Sequence, residues 1–141
     1  MHPLYDRASS LTGEIIGAAI EVHRDKGPGL IESIYEWCMT KELGLRNLPC
    51  ISQKQVSIEY KGFTRDELLR FDLLVGDAVL LEIKAVSQVL PIHKAQLLSY
   101  MKLLSIPVGL LINFHELRLT DGVHRLILPG ANLSTPSTRE G

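Results

Sequence analysis

The sequence predicts an α/β (α+β) domain: a mixed β-sheet flanked by helices, in the order α-α-β-β-β-α-β with a β-hairpin at the C-terminal end. Three observations predict it. Two stretches near the N-terminus repeat apolar residues at helical spacing. Three alternating or apolar runs between residues 54 and 86 are divided by short turn signals. A helical stretch then joins the last of these runs to another buried one. Such a link calls for parallel neighbours and a right-handed connection.

Residues 1–8 read as a loose, flexible lead and residues 9–128 as one domain. Ser9 or Ser10 caps a helix running to about Arg24, with Leu11, Ile15, Ala18, Ala19 and Val22 as its apolar face. Gly27-Pro28-Gly29 stops it. A second helix spans about Leu30 to Leu43, with Ile31, Ile34, Tyr35, Cys38 and Met39 as its stripe and Gly44 as its C-cap. Lys54 to Tyr60 alternates polar and apolar residues, as a half-exposed strand does, and Lys61-Gly62 turns the chain. Leu68–Val75 and Val79–Val86 are the next strands, completing an antiparallel meander. Pro91 to Leu104 is a helix with Pro91 in its first turn, and Pro107 to Asn113 is a buried strand. Leu117–Thr120 and His124–Leu128 form the last hairpin around Asp121-Gly122. Residues 129–141 lack apolar periodicity and read as a disordered tail.

Composition narrows the function. Charged residues make up 22% of the chain and hydrophobic ones 45%, a soluble globular balance. The net charge of −1 leaves no overall basic footprint for nucleic acid, though a local patch is compatible with it. Cys38 and Cys50 lack metal-ligand spacing, and the first residues show no signal peptide, so a reduced, cytoplasmic protein is expected. No apolar run reaches the length of a membrane span.

The chemistry concentrates at Glu82-Ile83-Lys84, which ends the run Val79-Leu80-Leu81. Charged groups on core strands are costly unless paired or bound to a cation. Side chains alternate along a strand, so Glu82 and Lys84 share a face, as do Arg70, Asp72 and Leu74. A two-residue turn at Gly76-Asp77 would put Asp72 and Glu82 on opposite faces. A three-residue loop, Gly76-Asp77-Ala78, pairs Val75 with Val79, sets Asp72 opposite Glu82 and Arg70 opposite Lys84, and is the register expected here. Two adjacent carboxylates repel, and a divalent cation between them removes that cost. Mg²⁺, a hard cation that keeps several waters, suits best. The competing reading is an Arg70/Asp72/Glu82/Lys84 ion-pair ladder.

The order of elements, together with these residues, resembles the PD-(D/E)xK nuclease superfamily, and within it the small GxxExxY proteins. Gly29-Leu30-Ile31-Glu32-Ser33-Ile34-Tyr35 fits that signature. Gly27-Pro28-Gly29, Arg70-Phe71-Asp72, Glu82-Ile83-Lys84, His93 to Gln96, Gln96-Leu97-Leu98-Ser99-Tyr100 and Ile112-Asn113-Phe114 extend the likeness over most of the chain. Phe71 stands where the superfamily has proline.

The resemblance implies a restriction-endonuclease-like core and a metal-dependent nuclease acting on phosphodiester bonds in nucleic acid, DNA ahead of RNA. It implies Mg²⁺, with Mn²⁺ as a substitute, held by Asp72, Glu82, the Ile83 carbonyl, and Glu32 directly or through water. Lys84 would act beside the nucleophilic water and the scissile phosphate, and Gln96 would join the catalytic set. Gln96, Tyr100, His93 and Arg70 would bind substrate. Each has a plainer alternative: Glu32 as a helix-terminal acid, Gln96 as part of a polar helix face, Tyr35 as packing. His23, close to Glu21, reads as a satisfied histidine rather than a metal ligand; Asn113 reads as the cap of its strand. Two further functions compete: an inactive nucleic-acid-binding or interaction module on the same fold, and a homodimer formed through the first helix.

Overall fold

The computed structural model describes residues 1–134, so the last part of the expected tail, residues 135–141, lies outside the described residues. Its core is a five-stranded sheet in the order β1-β2-β3-β4-β5. Helices α1 (Tyr5–Lys26) and α2 (Glu32–Leu45) cover one face and α3 (Pro91–Leu104) covers the other. Strands β1 (Cys50–Tyr60), β2 (Phe63–Val75) and β3 (Val79–Lys84) form the antiparallel meander. Strand β4 (Val108–Asn113) runs parallel to β3 after the α3 crossover, and β5 (Val123–Ile127) closes the sheet antiparallel to β4. The mixed α+β architecture and the element order follow the expected plan.

Alternation decides the layers. Val79, Leu81 and Ile83 of β3 point to α1 and α2, while Leu80 points to α3. Strand β4 is buried along its whole length. Gly109 of β4 lets α3 close in, because a β-carbon there would press on Met101 and Leu97. Gly109→Val is therefore expected to destabilise the fold by about 1–3 kcal/mol through overpacking. Urea denaturation with an unchanged midpoint would contradict this.

Several boundaries differ from the sequence reading, each for a packing reason. The first helix starts at Tyr5, so most of the supposed loose lead is ordered: Ala8 is fully buried under the sheet, and no Ser9 or Ser10 cap forms. The preceding residues are tied down too, His2 donating its backbone N–H to Ala131 at 2.8 Å and its ring to the Ser105 carbonyl at 2.8 Å. Ala131 lies at the start of the supposed tail and is buried.

The buried row of α2 is Tyr35, Met39 and Leu43, leaving Ile31 67% exposed and Gly44 inside the helix. The apolar face of α1 lies within the core of a single chain, which gives the competing reading of a homodimer through it no support. Residues 117–122 form no hairpin strand: Leu119–Gly122 is a 3-10 turn, and β5 pairs with β4 instead. The open edge of a wholly buried strand needs hydrogen-bond partners, and β5 supplies them.

Strands β1 and β2 are much longer than expected. Their ladder runs on past the point where β3 stops pairing, ending in a two-residue turn with Tyr60 opposite Phe63. Lys61 and Gly62 both have positive φ, 50° and 89°, the mirror-image turn whose twist fits a tight hairpin.

Candidate active site

The register at the β2–β3 turn is the three-residue one: Val75 pairs with Val79, Leu74 with Leu80 and Leu73 with Leu81. One further step sets Asp72 opposite Glu82, and there the backbone ladder stops. The Asp72 Oδ2 takes over, accepting the Ile83 N–H at 2.6 Å. On the other side of β2 the register with β1 breaks at the same place, Ser52 of β1 standing against Phe71, Asp72 and Leu73 of β2. The bulge falls where the ladder between β2 and β3 ends, the kind of irregularity that re-aims side chains beside active sites. It also corrects one expectation: Arg70 pairs across with Gln53 on β1, not with Lys84.

A cleft of about 300 Å³ opens at this point, lined by Arg70, Phe71 and Asp72 of β2, Leu80 and Glu82 of β3, and Gln96, Leu97 and Tyr100 of α3. Asp72 and Glu82 thus share one cavity on the α3 side of the sheet. Gln96 and Tyr100, one helical turn apart, form its far wall. Lys84 stands at its edge, its Nζ 3.2 Å from Glu82 Oε2. Among the described residues Arg70 joins no ion pair, so the ladder alternative is reduced to this one rung. His93 is elsewhere: its Nδ1 accepts the Leu90 N–H at 3.0 Å, capping α3. It is not among the residues lining the cleft.

Two helix residues approach from the opposite layer. Glu32 opens α2, and its Oε2 accepts the Ala85 N–H at 3.3 Å just beyond Lys84. Glu36, one turn on, hydrogen-bonds to Asp72. Glu36 did not emerge from the sequence; the available signal was a like-charged pair at i, i+4 on one helix, which is unfavourable unless something else balances it. Burial, then Asp72 through that hydrogen bond and its charge, then the charges of Glu32 and Glu82, raise the Glu36 carboxyl from 4.5 to about 7. The Glu82 carboxyl is also raised, first by burial and then by Asp72, against the pull of Lys84.

The surrounding residues hold this arrangement in place. The Tyr35 hydroxyl donates to the Gly27 carbonyl at 2.6 Å and accepts the Leu30 N–H at 3.0 Å, while its ring stacks on Phe114 at 4.5 Å. It thereby fixes the turn that delivers Glu32. Tyr35→Phe should cost about 1–3 kcal/mol by removing two hydrogen bonds to half-buried backbone groups, read as a lowered urea midpoint. Fully buried Asn113 bonds both backbone groups of Val86, at 3.0 and 2.9 Å, and the Phe114 N–H meets the Lys84 carbonyl at 2.8 Å. These bonds hold the end of β3. His23 donates to the Glu116 carbonyl at 2.8 Å, as a satisfied histidine would.

Four carboxylates against one amine make a hard, oxygen-rich donor set that fits a divalent cation such as Mg²⁺ and offers nothing to soft metals. Burial first, and then the neighbouring carboxylates, raise Glu36 and Glu82, and a bound cation would offset the second of these causes. Among the described residues no three acidic, histidine or cysteine side chains already converge at ligand spacing, so the fit is one of donor chemistry.

Comparison with known proteins bears on the same residues. No curated protein and no solved structure matches the chain. A family model described as the PD-(D/E)XK nuclease superfamily matches residues 9–126, from within α1 into β5. Proteins of that superfamily typically use divalent metals, the kind of ion that this acidic cleft suits. No helix among the described residues is long and apolar enough to cross a membrane. A match that takes in every strand and both walls of the cleft leaves one conclusion: the chain belongs to the PD-(D/E)XK nuclease superfamily.

Proposed function

We propose that the protein is a Mg²⁺-dependent nuclease that hydrolyses phosphodiester bonds in nucleic acid, DNA in the first instance, and that it stands with the small GxxExxY proteins of its superfamily. The GxxExxY assignment is supported by Gly29, Glu32 and Tyr35 at the signature spacing and by the bond from Tyr35 back to the Gly27 turn. The observation carrying the nuclease reading is that Asp72 and Glu82, from neighbouring strands, open into one cleft with Gln96 and Tyr100.

Asp72, Glu82 and the Ile83 carbonyl would hold the cation, with Glu32 directly or through water. When bound, such an ion polarises a phosphodiester and lowers the pKa of a water. The Lys84 amine, now against Glu82, orients the nucleophile and offsets charge developing on the phosphate oxygens. Gln96 and Tyr100 present an amide and a hydroxyl across the cleft to position the phosphate, and Arg70, exposed at its mouth, meets a neighbouring one.

A second reading is a nucleic-acid-binding module without turnover. It draws on the Lys84–Glu82 pair and on the lack of a preassembled ligand trio among the described residues. Calorimetric titration with Mn²⁺ and a cleavage assay on duplex, single-stranded and branched DNA decide between them. The nuclease reading expects Mn²⁺ binding that Asp72→Ala abolishes, and metal-dependent cleavage. Binding of DNA without cleavage in either metal would favour the module.

A further inference from the structure

Beyond the cleft, β1 and β2 continue as a two-stranded arm that no other strand among the described residues joins. Its base is anchored, Val56, Leu69 and Phe71 packing on the α3-side core. Alternation from Val56 and Leu69 puts Ile58 and Tyr60 of β1 and Arg65 and Phe63 of β2 on the same face of the ribbon. That is the face on which the cleft opens.

At the end, Tyr60 and Phe63 stand directly opposite each other, 67% and 78% exposed. The Lys61 amine lies 5.3 Å from the centre of the Tyr60 ring. Nothing in the core requires either ring. Both are large apolar groups held at the tip by a turn of defined geometry.

We infer that the hairpin tip is a base-stacking clamp that grips the nucleic-acid strand at a distance from the cut, a role that rests on the nuclease reading of the cleft. Paired aromatic faces with an adjacent cation suit a single strand that can lay an end base on the rings and whose backbone is charged. Continuity supports the same occupant: β2 carries both Phe63 at the tip and Arg70, Phe71 and Asp72 in the cleft. The reach from Arg70 to Phe63 is seven residues of strand, roughly 23 Å at about 3.3 Å each. At roughly 3.4 Å per nucleotide of a stacked strand, that spans about seven nucleotides. A second copy of the chain is a poorer occupant. Two rings offer roughly 300–500 Å², short of the roughly 800 Å² per partner of a stable protein interface.

The test is fluorescence anisotropy in EDTA with labelled DNA strands of about 5 and about 20 nucleotides, short and long against the expected reach. The proteins are wild type, Tyr60→Ala/Phe63→Ala, Tyr60→Trp/Phe63→Trp, and Leu117→Ala as a control 92% exposed elsewhere. Wild type should bind the long strand at least about tenfold more tightly than the short one. The alanine pair should lose that gain with its thermal midpoint unchanged, and the tryptophan pair and Leu117→Ala should keep it. The clamp is overturned if wild type shows no gain with length, if the alanine pair retains it, or if Leu117→Ala loses it equally. It is also overturned if sedimentation shows the alanine pair splitting a dimer into monomers. A cleavage assay with Mg²⁺ or Mn²⁺ separates the two ideas. Cleavage without a tip-dependent gain removes the clamp alone, whereas a tip-dependent gain without cleavage removes the nuclease reading alone.

Discussion

Replacing Lys84 with alanine is expected to reduce cleavage by about 10²–10³-fold, the usual loss when a charge-stabilising donor leaves an active site, while Mn²⁺ binding persists. The amine lies 3.2 Å from Glu82, where it balances a carboxylate but contributes no metal-ligating oxygen. Its removal should leave the cation in place and the phosphate oxygens without their compensating charge. Asp72→Ala should lose both cleavage and Mn²⁺ binding. Because Asp72 also accepts the Ile83 N–H at 2.6 Å, that variant loosens the junction of β2 and β3. Asp72→Asn retains an acceptor and removes only the charge, so it should fold normally and still fail to cleave. Wild-type rates in both Lys84→Ala and Asp72→Asn would refute the assignment of this cleft.

A second expected result concerns pH. With Glu36 raised from 4.5 to about 7, the folded protein holds a proton between those values that the unfolded chain has released. The native state then binds more protons than the unfolded one, and stability falls as pH rises through that window. Glu82, shifted in the same direction, adds to the fall. His124, held below its usual range chiefly by burial and secondly by Lys94, works in the opposite direction. The difference between wild type and Glu36→Gln isolates the first effect. In EDTA the glutamine variant should gain in urea midpoint relative to wild type between about pH 5 and pH 8, the window set by the shifted carboxylate. Parallel pH profiles for the two proteins would show that the Glu36 carboxyl is not raised by its burial and its acidic neighbours. Mg²⁺ should reverse the trend in wild type, stabilising more at pH 8 than at pH 5, because protons compete with the cation for the same oxygens.

Much of this was legible where local rules act alone. Pro91 and the apolar run after it define α3 at the bounds observed, since proline suits a first turn and the chain stops at a left-handed Ser105. The Gly76-Asp77-Ala78 loop could be counted on paper because a one-residue slip would move every core side chain of β3 to the wrong face. Lys61-Gly62 announced its turn through backbone chemistry. The distal ends of β1 and β2 were hidden because an exposed ribbon has little hydropathy contrast. The α2 stripe was misjudged because periodicity leaves the exact rotation of a helix open, and Tyr35, Met39 and Leu43 were selected by what lies beneath them.

The sequence by itself determined the element order, the parallel crossover and the placing of Asp72 against Glu82, because strand alternation and loop length are local and countable. Only the tertiary structure decided that Glu36 joins them, that His93 caps a helix, and that β2 bulges at Asp72 and runs on as a free arm. Those outcomes depend on which surfaces meet across layers. Desolvation and charge repulsion arise between residues far apart in the chain, and no local pattern encodes them.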